Sequence, residues 1–174
     1  ARFGLLCVFG LHVYLTLKLT RSNHQARGAV VADSPLAGFL GERYSNQYRY
    51  KTATTSSRFM ILSGLLILLF VIYHLAHFTF HQIGDPPSIT ADGVTDVYEM
   101  VVQGFRNPWI SVSYIIFQIV LGLHVYHGAS SACQTLGLKT GSSRKPLSFL
   151  GLALALLLTC GNSSIPFAVW IGLI

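Results

Sequence analysis

Residues 109–138 read WISVSYIIFQIVLGLHVYHGASSACQTLGL, a run with no Lys, Arg, Asp or Glu. A helix that crosses the hydrocarbon core of a bilayer needs about 20 predominantly apolar residues, and this run exceeds that length. Its second half holds GLHVYHG, Gly122 to Gly128, with His124 and His127 three positions apart. Ionisable side chains inside a bilayer are costly and mark functional sites. Neutral imidazole is the cheapest of them to bury and is also a strong iron ligand.

The rest of the chain has the same character. Of its 174 residues 52% are hydrophobic and 10% charged, and the mean hydropathy is +0.54. This composition implies a polytopic membrane protein, an all-α bundle of spanning helices. The net charge of +6 raises the question of nucleic acid. The basic residues are instead split between two loops with no aromatic interleaving, so nucleic acid is excluded and the charge reports topology. Cys7, Cys133 and Cys160 lie in apolar segments without CxxC spacing. They read as small packing residues, not as a disulfide or zinc framework.

Four spans are expected, at about 2–20, 58–81, 109–136 and 147–173, within a single membrane domain over 1–174. The last span is expected to be interrupted by Gly161-Asn162-Ser163-Ser164 and Pro166. Between the second and third, DVYEMVVQGF reads as a short amphipathic interfacial helix stopped at Asn107-Pro108. The first and third connections hold ten of the twelve Lys and Arg, from Lys18 to Arg58 and from Lys139 to Lys145. The opposite side holds Arg2, Arg106 and four of the six acids. The positive-inside rule places the basic connections in the cytoplasm and the start of the chain outside. There is no initiator Met, and the sequence opens inside an apolar run, so a chain incomplete at its N-terminus is expected.

Depth follows from a rise of about 1.5 Å per residue. His12 lies about 13 Å before Arg21, and His124 about 22 Å after Trp109, which puts both in the inner half of the bilayer. His74, about 24 Å after Arg58, lies near the outer face. Two imidazoles from separate helices at one level can hold a b-type heme between them, their other ring nitrogens satisfied by carbonyls or hydroxyls. Gly10, Gly122, Gly128 and Ala129-Ser130-Ser131 would let a macrocycle approach the helix backbones. Zinc or copper would want further N, S or carboxylate ligands at that depth. The competing reading is that these histidines make ordinary hydrogen bonds across the bundle. His127, one turn inward, is a candidate for a propionate or the inner headgroups. His77 and His81 run toward the outer surface with roles left open between a propionate, a proton path and none. Arg58, with Ser57 and Ser63 nearby, is a candidate for a propionate or the partner subunit, and equally for an interfacial anchor.

Four segments carry a family resemblance: GLHVYLTLKLTRSNHQARG (10–28), SRFMILSGLLILLFVIYHLAHFT (57–79), the stretch from DVYEMVVQGF to SACQTLGL (96–138), and GNSSIPFAVWIGLI (161–174). They resemble the cytochrome b membrane-anchor subunit of succinate dehydrogenase and fumarate reductase, in its single-chain, di-heme, five-helix form. The resemblance implies that His12 and His124 ligate the inner heme iron, and His74 the outer one. The opposing ligand of His74 would stand on a first helix that is absent here, so five spans are expected in a full-length member. Some members carry an acidic residue in a proton path on the last helix, and this chain has none there.

The implied function is electron transfer between an iron–sulfur subunit and quinone, with menaquinone expected. Succinate chemistry would sit on a separate FAD flavoprotein, since this chain has no nucleotide-binding fingerprint and no cysteine cluster for iron–sulfur centres. Both partners are expected on the cytoplasmic side of a bacterial inner membrane. The alternatives are a cytochrome b anchor of a hydrogenase or formate dehydrogenase, and a small proton-coupled transporter.

Overall fold

The computed structural model describes residues 2–26 and 59–174, and within the first helix the side chains of residues 3–22. The chain divides into two compact units, Ala1–Thr52 and Ala53–Ile174. In the first, α1 spans Arg2–Ala26, running past Lys18 and Arg21 and beyond the apolar stretch that marks the span. In the second, α2 (Met60–Phe78), α3 (Val97–Arg106), α4 (Pro108–Thr135) and α5 (Arg144–Trp170) follow in order. The four long helices α1, α2, α4 and α5 are each long and apolar enough to cross a membrane. The fold is all-helical, as the composition implies.

Local chemistry explains the element boundaries. Asp96 caps α3 by accepting from the N–H of Glu99 at 3.0 Å, and Gln103 braces Glu99 one turn on at 2.7 Å. Asn107 ends α3 in an extended conformation and its side chain accepts from the N–H of Trp109 at 3.0 Å. Pro108 fills the first position of α4, where its missing N–H costs nothing. The corner is tied by Ser111, fully buried, whose hydroxyl donates to the Phe105 carbonyl at 2.6 Å. At the far end of α2 the chain turns through His81 in the left-handed region (φ 52°), with the Gln82 N–H on the Ala76 carbonyl at 2.8 Å.

The expected break in the last span does not occur. α5 is continuous through Gly161-Asn162-Ser163-Ser164 and carries Pro166 inside it. Pro166 is fully buried and removes only the single bond that its own N–H would have made to Asn162. In an apolar medium the other backbone groups have no partner outside the helix, so one missing bond is tolerated where a break would strand several.

Within the second unit α4 is central, antiparallel to α2 on one side and to α5 on the other. Phe70 stacks on Phe117 with centroids 4.8 Å apart, and His77 meets Tyr114 further along the same seam. On the other side Gly151 lies against Ala129 and the backbone of Tyr126, and Asn162 donates to the Gln118 side chain at 3.2 Å. Gly122 faces Thr159 so closely that a Cβ at 122 would overlap the threonine hydroxyl. The buried set is small and includes His77, Ser111 and Gln118, while Leu69, Ile72, Ile116, Leu123 and Leu157 lie on the surface. The three buried polar side chains are each paired inside the unit and its surface is apolar, as lipid requires.

Candidate functional site

His124 lies on α4 at the level where α2 begins. Its Nδ1 is 2.9 Å from the Ser63 hydroxyl, and that hydroxyl also donates to the Met60 carbonyl at 3.0 Å. Gly64 is alongside, and a Cβ there would meet the imidazole Cε1 at 3.5 Å. The serine and glycine of the SG pair that opens α2 thus line the ring's Nδ1–Cε1 edge. His127 is partly buried one turn further along α4.

The other end of the α2–α4 seam is built around His77. This imidazole is 5% exposed, with Nδ1 at 3.0 Å from the Tyr114 hydroxyl. Tyr114 is itself enclosed by Phe70, Phe78 and Phe105, with ring centroids 5.1, 5.8 and 4.9 Å away. Gly104 of α3 admits the ring: a Cβ there would come within 3.0 Å of His77 Nε2. His74, one turn earlier, lies on the surface of the unit instead.

Beyond His77 a cavity of about 90 Å³ opens between the end of α2, the following loop and α3. Its walls include His77, His81, Asp85, Gln103, Gly104 and Asn107. The His81 Nε2 is buried and, among the described residues, has no hydrogen-bond partner. Among the described residues, no three of His, Cys, Asp and Glu converge as a metal cage, and the three cysteines are unbridged.

Residues 42–160, more than half of the chain, match the family model described as Succinate dehydrogenase/Fumarate reductase transmembrane subunit. The chain belongs to that family. It is therefore a multi-pass membrane subunit of succinate dehydrogenase/fumarate reductase, a complex in which it partners catalytic subunits. The matched stretch includes His74, His77, His81, His124 and His127 and leaves out His12. The chain matches no curated protein and no solved structure.

The site residues expected from the sequence of this transmembrane subunit fall into three groups. His124 and His74 are in the second unit, toward opposite ends of the bundle. His12 stands in α1 of the first unit, where its carbonyl accepts from Thr16 at 2.8 Å, and its pairing with His124 is a proposal. Arg58, the propionate candidate, lies outside the described residues. Sequence reasoning missed Tyr114 altogether and left His77 without a role. The available signal was spacing: Phe70, Tyr73, His74 and His77 recur at three- and four-residue intervals and so share a face of α2.

Proposed function

We propose that this subunit carries heme b and passes electrons between an iron–sulfur partner and quinone in the bilayer. The observation that carries the reading is His124, an imidazole at a spanning level whose Nδ1 is met by a serine of the neighbouring helix, in a chain of this family. A metal-bound imidazole needs its second ring nitrogen satisfied by a fixed partner, and Ser63 answers that need. Gly128, one turn along the same helix, has open space among the described residues where a Cβ would stand, whereas the space at Gly122 is taken by Thr159, so the Gly128 side of the donor fits a flat, bulky group.

His12 is the proposed opposing ligand of His124 at the inner heme, with His127 and Arg58 as candidates for propionate contacts. His74 is the proposed ligand at an outer heme. It is a better candidate than His77 because His77 is buried and hydrogen-bonded to Tyr114, while His74 borders the same aromatic cluster but is exposed. The resemblance assigns the opposing imidazole of His74 to a further helix outside this sequence. Bound heme would supply a one-electron couple between one-electron iron–sulfur carriers and a two-electron quinone. Succinate or fumarate chemistry belongs to the FAD subunit, docked through the iron–sulfur subunit on the basic, cytoplasmic side; menaquinone is the proposed quinone and a bacterial inner membrane the location. Family membership supports this over a hydrogenase anchor, a formate dehydrogenase anchor or a transporter.

The test is to purify the complex from membranes, record a dithionite-reduced minus oxidised spectrum, and identify the co-purifying subunits. A b-type spectrum with a flavoprotein and an iron–sulfur protein is expected. A heme-free complex, or one whose partners oxidise hydrogen or formate, would sink the proposal.

A further inference from the structure

Ser63 has one hydroxyl proton and two close neighbours. The Met60 carbonyl, at 3.0 Å, can only accept, so both contacts are hydrogen bonds together only when the serine donates to Met60. The contact to His124 Nδ1 at 2.9 Å is then a hydrogen bond only if the imidazole donates and the serine oxygen accepts. The arrangement that satisfies both contacts puts the proton on Nδ1 and the lone pair on Nε2. The hydroxyl is polarised by its own donation to Met60, which makes its oxygen a better acceptor. Gly64 puts no side chain against the adjacent Cε1 edge, so the hydroxyl meets the ring without a competitor from the next residue.

We infer that Ser63 is a positioning residue that fixes the tautomer of His124 and sets how strongly its Nε2 donates electrons to a bound iron. The inference rests on the reading of His124 as a heme ligand. A hydrogen bond accepted from Nδ1–H leaves more electron density on the ring, which favours the ferric over the ferrous state. Removing the acceptor weakens that donation and raises the midpoint potential, without removing a ligand.

The experiment is a redox titration of the heme spectra of the intact complex, paired with low-temperature EPR of the oxidised low-spin heme. Ser63→Ala should keep the heme content and a bis-imidazole spectrum. One component should shift upward by up to a tenfold change in its oxidised-to-reduced ratio at fixed potential, about 59 mV for one electron, with altered EPR g-values. Ser63→Thr, which keeps a hydroxyl, should titrate as the unsubstituted complex does. If Ser63→Ala loses the component and Ser63→Thr restores it, the assignment stands, because the hydroxyl decides. Loss of the component in both variants overturns it, as does a Ser63→Ala titration and EPR spectrum identical to the original. His124→Ala separates the two levels of the argument. If all heme survives that change, the heme reading itself fails. If His124→Ala removes a component and Ser63→Ala is silent, only the role of Ser63 fails.

Discussion

Replacing Tyr114 by Phe would delete one oxygen and keep the ring that Phe70, Phe78 and Phe105 enclose. That oxygen is 3.0 Å from His77 Nδ1, and both residues are only 5% exposed, so water cannot readily take its place. Two magnitudes bracket the loss. Hydrogen bonds between spanning helices contribute about 0.6 kcal/mol on average and at most about 1.7 kcal/mol. A buried polar group left unpaired costs about 1–3 kcal/mol. Because this pair sits inside an aromatic cluster, the upper part of the first range, which overlaps the second, applies, and we expect a loss of about 1–1.7 kcal/mol. Equilibrium unfolding of the full chain in mixed micelles, titrated with SDS, would measure it. Tyr98→Phe is the control, since Tyr98 is 66% exposed and should change stability by less than about 0.5 kcal/mol. In the double variant with His77→Leu neither polar group remains, so the two losses should fall well short of adding. A Tyr114→Phe chain as stable as the Tyr98→Phe control, or strictly additive losses, would refute the claim that the pair binds α2 to α4.

Gly122→Ala should destabilise the chain by about 1–3 kcal/mol through overpacking against Thr159, and Thr159→Ala should restore most of it; the same SDS titration decides. His12→Ala and His124→Ala should remove one and the same component of the reduced-minus-oxidised spectrum, and His127→Ala should leave it in place; separate components would end the pairing of His12 with His124. Lys139 and Lys145 should crosslink to the iron–sulfur subunit, and crosslinks arising only from the Gly84–Pro108 side would reverse the proposed orientation.

Three of the long helices were legible because their runs free of Lys, Arg, Asp and Glu, 59–84, 107–138 and 146–174, exceed the ~20 residues a span needs; the first was read from the nearly uninterrupted apolar stretch before Lys18. The short amphipathic helix DVYEMVVQGF and its stop at Asn107-Pro108 were legible too, since both are local chemistry. What sequence could not resolve depended on neighbours far along the chain. His74 and His77 lie about 60° apart around α2, both beside Tyr114, and nothing in HLAH says which one is buried and hydrogen-bonded to it; the hydroxyl of Tyr114, on another helix, meets His77. Pro166 and the GNSS segment suggested a break, because the local rule for proline assumes that water can serve the freed backbone groups. Ser63 was read with Arg58 as facing a propionate or the partner subunit. Its contact with His124 needed the antiparallel register of α2 on α4, which no local pattern contains.

That register has a mechanical consequence. α4 is one unbroken helix of 28 residues, about 42 Å long, and both contacts of the seam are fastened to it: Tyr114 to His77 at one end and His124 to Ser63 toward the other. No proline and no break in the helix interrupts the stretch between those two residues. A helix that cannot hinge behaves as a pushrod, so an axial displacement imposed at one end arrives at the other with the same sign and nearly the same size. Gly122 and Thr159, meshed between those points, act as the tooth that resists such sliding. A tug on the loop between α2 and α3 would therefore be felt at the His124 imidazole as a rigid translation, and the two ends of the α2–α4 seam should be found to move together.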